Sequence, residues 1–230
     1  MNRAKESQLP SRPSAKPLYI VADAARYGHA KPNDVRRWLE GYTVKGQAYP
    51  PFLEPPTGRP RGKLALSLEN LIEVAFVAGL KRKSIPLPTI RKAHRIAQDE
   101  FGEFPFARQP VFVGGREIFM RASEYVAHEA EHLTNLTKGG QRALEPVLHE
   151  YLEQITWEGG WPVEWYPRAG VSLNPGISFG QPSVRGIRTE ILRSRFLASE
   201  SVEFIAEDFG LTLQDVEEAL RFELALEQAA

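Results

Sequence analysis

Apolar and polar positions alternate with helical spacing over much of the first hundred residues. Val21–Tyr27 predicts one short helix, Gly28 to Lys31 a turn, and Pro32 to about Gly41 a second helix. Proline suits the first turn of a helix, where its missing N–H would be unpaired anyway. On the second helix Val35, Trp38 and Leu39 share one face, and Asn33, Arg36, Arg37 and Glu40 share the other. Residues 43–63 are rich in turn formers, and short extended pieces around Gly46 predict a hairpin wing. Ser67 caps a helix running to about Leu80, with Leu68, Leu71, Ile72, Ala75 and Leu80 as its core stripe. Pro88 opens another, with Ile90, Ala93, Ile96, Ala97 and Phe101 inside and Arg91, Lys92 and Arg95 outside, and Gly102 stops it.

The pattern changes after residue 104. Residues 109–120 alternate about Gly114-Gly115 and predict a hairpin. Residues 140–156 predict an amphipathic helix through Leu144, Val147, Leu148, Tyr151, Leu152 and Ile155, ended by Gly159-Gly160. The run from Trp161 to Pro167 reads as an edge strand with Trp161 and Trp165 on one face. Three helical patterns close the chain. The first spans about Thr189 to Leu197, the second is capped by Ser201 and ended by a left-handed Gly210, and the third is entered through Thr212 and Asp215. The expected fold is mainly α with small β elements (α+β). Its expected parts are a disordered tail over 1–17, a winged helix-turn-helix over 18–104, a mixed α/β connecting unit over 105–176 and a three-helix domain over 177–230.

Composition bounds the function more loosely. The net charge is zero, but residues 1–100 carry 18 Lys/Arg against 9 Asp/Glu and residues 199–230 carry 1 against 9. A basic end opposite an acidic one suggests two different partners, or solvated helix faces that happen to differ. There is no cysteine, hence no disulfide framework and no thiol nucleophile. No signal pattern and no apolar run of membrane-spanning length occur, so a cytoplasmic protein with no membrane partner is expected.

The candidate chemistry follows from residue types. A short helix, a tight turn and a helix with an Arg/Asn outer face have the arithmetic of a helix-turn-helix, and the alternative is an ordinary helical hairpin. Arginine can take guanine or phosphate and asparagine can take adenine in a major groove. The expected DNA-contacting residues are Asn33, Arg36, Arg37 and Lys31, joined at the phosphates by Lys45, Arg59, Arg61 and Lys63 of the wing region and by Arg91 and Lys92. The stretch 18–42 resembles the N-terminal helix-turn-helix of MerR-like regulators. Elsewhere His128-Glu129-Ala130-Glu131-His132 spells H-E-x-x-H, and a zinc hydrolase with Glu150 as third ligand is one alternative. Glu131 is charged where a buried zinc helix needs an uncharged residue, and Glu124, Glu129 and Glu131 read as a solvated face. No nucleophile elbow and no phosphate-binding glycine loop occur, so no enzyme, no metal and no cofactor are expected.

The run from Gly180 to Glu223, with Gly-Gln-Pro-Ser-Val-Arg-Gly-Ile-Arg-Thr at its start and Leu211-Thr-Leu-Gln-Asp-Val-Glu-Glu-Ala-Leu near its end, resembles a family known only as domain of unknown function four-thirty-three. The resemblance covers roughly residues 177–223; Ile187 stands where the family usually has threonine. Members of that family are similar to antitoxins that pair with PIN-like ribonuclease toxins in the VapBC manner. The two resemblances together imply a VapB-type antitoxin. It would bind operator DNA as a homodimer or a larger toxin–antitoxin assembly, and would dock its toxin through Arg185, Arg188, Phe196, Phe209 and Phe222. The alternative is a ligand-responsive MerR-like regulator without a toxin.

Overall fold

A computed structural model describes residues 12–54, 64–111 and 148–228, and the fold is mixed α+β. Its centre is helix α3, Leu68–Arg82, in which every residue from Leu68 to Leu80 is buried. The sequence suggests a single core stripe there, with its carboxylates in water. Instead the helix is covered all round, as an element in the middle of a core must be. Its two buried glutamates survive because each is bonded, since an unpaired buried carboxylate is costly. Glu69 accepts from Ser14 Oγ (2.8 Å) and Arg12 Nε (3.1 Å). Glu73 accepts from the Phe106 backbone N–H and lies 3.1 Å from His94 Nε2. Ser67 and Asn70 close the N-terminus of α3 reciprocally.

Around α3 lie α1 (Val21–Tyr27), α2 (Pro32–Glu40), the hairpin β1 (Tyr42–Val44) and β2 (Gln47–Tyr49), and α4 (Leu87–Phe101). Residues 12–17, part of the expected tail, are ordered by contacts distant in sequence. Pro13–Ala15 form a 3-10 turn held on Glu69, and the Arg12 guanidinium sits 3.6 Å from the Trp161 ring centroid, with Arg108 at 3.9 Å. Tyr19 then bridges to Leu66, and its hydroxyl abuts Gly180, where a Cβ would lie 2.6 Å away. Burial pushes the Tyr19 hydroxyl well above its usual range. This strap touches α3, the main sheet and the C-terminal loop.

Two expectations of the middle third change. Residues 109–111 are helical rather than the start of a strand, with Pro110 in a first turn, where it lacks no bond. The rest of the expected 109–120 hairpin lies outside the described residues. Residues 148–154 are helical as expected, but Ile155 begins a strand, β3 (Ile155–Glu158). The β-branched Ile155 and Thr156 followed by Trp157 favour the pleated surface over another helical turn. β4 (Trp161–Arg168) is no edge strand: it pairs with β3 on one side and β5 (Val171–Leu173) on the other. The antiparallel meander continues through β6 (Ser183–Val184) and β7 (Ile187–Arg188), so one sheet runs across the expected boundary at 176/177.

Three helices follow, α5 (Thr189–Leu197), α6 (Val202–Phe209) and α7 (Leu213–Gln228). Their local chemistry is as the sequence indicates. Ser201 Oγ accepts from Phe204 N (3.2 Å), Gly210 takes φ 63°, and Thr212 and Asp215 bond reciprocally at 3.0 and 3.1 Å. The acidic face of α7 is largely committed within the chain. Glu218 pairs with Arg168 at 2.7 Å, Glu223 accepts from Thr189 Oγ1, and Glu227 pairs with Arg193.

Candidate nucleic-acid interface

The α1–α2 unit is built by contacts that fix the exposed face of α2. The Asp23 carboxylate accepts from Ile20 N (2.9 Å) at the start of α1. At its end Gly28 passes so close to α3 that a Cβ would sit 3.1 Å from Ala75 Cα. Arg82, at the end of α3, donates to the carbonyls of Gly28 (3.2 Å) and His29 (3.3 Å) and closes the turn between the helices. Val35, Trp38 and Leu39 of α2 are buried, and Lys31, Asn33, Arg36, Arg37 and Glu40 are exposed.

Burial and the Arg82 guanidinium hold the pKa of His29 below its ordinary 6.5. The folded chain therefore binds this proton less readily than the unfolded chain, and His29 subtracts stability as pH falls through about 6.5. His29→Asn, which tolerates the φ of 51° there, should lessen the drop in urea midpoint between about pH 7.5 and pH 5.5. An unchanged drop would mean the acid sensitivity lies elsewhere.

The wing follows α2 directly. Trp38 carbonyl accepts from Phe52 N (3.1 Å) and Leu53 N (3.2 Å), so the chain leaving β2 is stapled to α2. Lys45 and Gly46, with φ 49° and 82°, make the hairpin tip and leave Lys45 exposed. Tyr42 and Tyr49 stack across the strands, their centroids 4.8 Å apart. The Arg37 guanidinium lies 5.3 Å from the Tyr42 ring. Gly41 has φ 75°, and a Cβ there would meet Tyr49 carbonyl at 2.6 Å. Gly41→Ala should therefore cost about 1–3 kcal/mol of stability, read from urea denaturation. A loss below about 0.5 kcal/mol would show that the wing is not closed this way.

The charges on this face are not equivalent. Asp34 lies 3.0 Å from Lys81 Nζ and 4.0 Å from Arg37 Nη1, so Lys81 ties the start of α2 to the end of α3. Arg36 has no such neighbour among the described residues. Arg91 is half-buried: it donates to Pro50 carbonyl (2.8 Å) and covers the Phe52 ring at 4.6 Å, bracing the wing's exit. Lys92 is also half-buried and already engaged. Arg59, Arg61 and Lys63 lie outside the described residues. Lys81 and the exposed Tyr49 join this face without having been singled out in the sequence, because Lys81 is 47 positions from Asp34.

The residues expected to meet a protein partner are scattered. Arg185 pairs with Asp215 (3.0 Å) and Arg188 is exposed. Phe196 is 45% exposed, and Phe209 is half-buried beneath the Arg195 guanidinium at 5.1 Å. Phe222 is not at the surface: it is 5% exposed, its ring stacked 6.2 Å from that of Tyr27 on α1. An apolar position on α7 that reads as a free face is used to close the core against α1. The H-E-x-x-H run 128–132 lies outside the described residues, and Glu150 is exposed. No group of three or more His, Asp or Glu placed to hold a metal occurs among the described residues, and none of their helices is long and apolar enough to cross a membrane.

Comparison with known proteins adds a frame. The family described as "Protein of unknown function (DUF433)" matches residues 171–222, beginning at β5 rather than at residue 177. A protein of Mycobacterium tuberculosis (strain ATCC 25618 / H37Rv) named "Putative antitoxin VapB45" is 24% identical over 225 residues, covering 89% of this chain and 92% of that one. "Uncharacterized protein Rv2308" of the same organism is 22% identical over 219 residues, 89% of each. The crystal structure of Rv2018 from Mycobacterium tuberculosis superposes with a TM-score of 0.72 at 23% identity, over 89% of this chain and 98% of that one. The chain is thus similar from end to end to proteins of one fold, and one of them is named as an antitoxin.

Proposed function

We propose that this protein is the antitoxin of a type II toxin–antitoxin pair, which neutralises a PIN-like ribonuclease and represses its own operon by binding operator DNA. The observation that carries the DNA half is the polar face of α2. Asn33, Arg36 and Arg37 stand exposed over a buried Val35, Trp38 and Leu39, on a helix braced by α3 and by a basic-tipped wing. A helix of this size fits a major groove, with Asn33 and Arg36 aimed at base edges and Lys31, Arg37 and Lys45 at phosphates. Arg91, committed to the wing's exit, positions the wing and reaches the backbone less directly. Two copies on a pseudo-palindromic site would set the half-sites about one helical turn apart.

The toxin half is supported by the match to the DUF433 family and by the name of the 24% identical relative. It places the ribonuclease on the surface of residues 177–230. The test is paired. The product of the neighbouring ribonuclease gene, induced alone, should arrest growth, and co-induction of this protein should relieve the arrest. The purified protein should bind the DNA upstream of its own gene in preference to random DNA at the same salt. Failure to relieve the arrest sinks the toxin half, and equal binding to both DNAs sinks the other.

A further inference from the structure

Phe179 has the most exposed large apolar side chain among the described residues, at 85%, and the backbone is what presents it. Ser178, Phe179 and Gly180 have φ of 49°, 55° and 76° in succession. Left-handed backbone is rare and unfavourable for a bulky residue, so glycine at 179 would hold the same turn with less strain. The β6–β7 turn beside it repeats the choice. Arg185 takes φ 48° before Gly186 at 86°, a place where asparagine or glycine is usual. The two turns are tied together: Ser178 Oγ donates to Gly186 carbonyl at 2.8 Å, and Ile177 Cγ2 would lie 3.7 Å from a Cβ on Gly186. From below, Gly180 rests on Tyr19. Arg185 is oriented by Asp215, yet its side chain stays 63% exposed.

A phenyl ring and a guanidinium are thus held outward on a rigid base, each in a conformation that a smaller residue would adopt more readily. The ring adds almost nothing to the core of its own chain. Aromatic and arginine side chains are the ones that dominate protein interfaces, and fixing them beforehand reduces the freedom lost on binding. Strained residues retained at a surface point to a use for that surface.

We propose that this double turn, Ile177–Gly180 with Arg185, is the anchor by which the chain docks on a different protein, whose matching surface is an apolar pocket with carboxylates at its rim. Charge decides against a second copy of this chain. A two-fold axis through the patch would bring Arg185 and Arg188 of one copy against the same arginines of the other. The anchor rests on the antitoxin reading for the identity of its partner, the ribonuclease, and it adds Phe179 and Ile177 to the surface that meets it.

The experiment titrates the full-length protein with the purified product of the neighbouring ribonuclease gene, using wild type, Phe179→Gly, Arg185→Asn and, at the far end of α5, Leu197→Ser. Phe179→Gly should weaken binding about 30-fold or more, and Arg185→Asn should weaken it measurably. In both, the melting temperature should stay or rise, because each substitution relieves a left-handed strain; a side chain that mattered only to folding would lower it. Leu197→Ser should bind as wild type. Wild-type affinity in both turn variants, or weaker binding accompanied by a fall of several degrees in melting temperature, overturns the anchor and leaves the antitoxin reading standing. A wild type that binds no ribonuclease overturns that reading and the anchor with it. A wild type that dimerises alone, through an interface that Phe179→Gly abolishes, overturns the anchor in favour of a second copy.

Discussion

Arg36→Ala/Arg37→Ala should melt at the wild-type temperature and bind the DNA upstream of its gene far more weakly. Both side chains are exposed, and surface truncations away from caps and buried networks change stability by about 0.5 kcal/mol or less. A good arginine–base pairing discriminates by about 1–3 kcal/mol, so losing two costs about 2–6 kcal/mol, roughly 30-fold to 10⁴-fold. The salt dependence divides their roles. Removing an arginine that meets a phosphate should flatten the slope of log K against log salt by about 0.9, whereas removing one that meets a base leaves the slope and abolishes the preference for operator. Arg37, flanked by Asp34 and the Tyr42 ring, should contribute to the slope; Arg36, without such neighbours among the described residues, should carry the preference. Fluorescence anisotropy with single and double variants across a salt series reads all of this. A double variant that keeps wild-type affinity for operator would turn α2 into scaffold.

Phe222→Ala should cost about 3–5 kcal/mol, the range for removing a buried phenyl ring. Phe222 joins the last helix to Tyr27 at the end of α1, so the loss is felt at both ends of the chain. Urea unfolding followed by tryptophan fluorescence and by helical circular dichroism should give one coincident transition in wild type, at a lower midpoint in the variant. The variant should also bind DNA less tightly near its midpoint, because α1 is the helix against which α2 is set. A cost below about 1 kcal/mol would mean that α7 and α1 fold without each other.

The parts of this molecule legible in the sequence are those decided by near neighbours. Pro32 at a first turn, Ser201 as a cap, Gly210 as a left-handed stop and the Thr212–Asp215 pair each act within about four residues, and the helices begin and end where they indicate. The polar face of α2 is legible for the same reason, since a helix of nine residues sets its own faces. What escaped depends on distant partners. Glu69 reads as a solvated residue until Arg12, 57 positions earlier, is brought over it. Phe222 reads as a free apolar face until α1 covers it, and the run from Trp161 reads as an edge until β3 and β5 flank it. Phe179 is hidden for the opposite reason: an aromatic residue between Ser and Gly gives no sign that the backbone will turn it out to water.

The strap at the amino terminus has a consequence for the order of events at the ribosome. Arg12 to Tyr19 emerge first, yet the groups that hold them are Leu66, Glu69, Trp161 and the loop at Gly180. At ~5–20 residues per second the last of these follows Tyr19 by on the order of 10 s. Throughout that interval the α1–α2 pair lacks the cover that Phe222 gives Tyr27, which is made later still. A nascent chain therefore cannot assemble its complete DNA-reading end until nearly all of the molecule has been translated, so ribosomes stalled before residue 180 should carry chains that proteases cut readily near Tyr19, and chains released whole should resist.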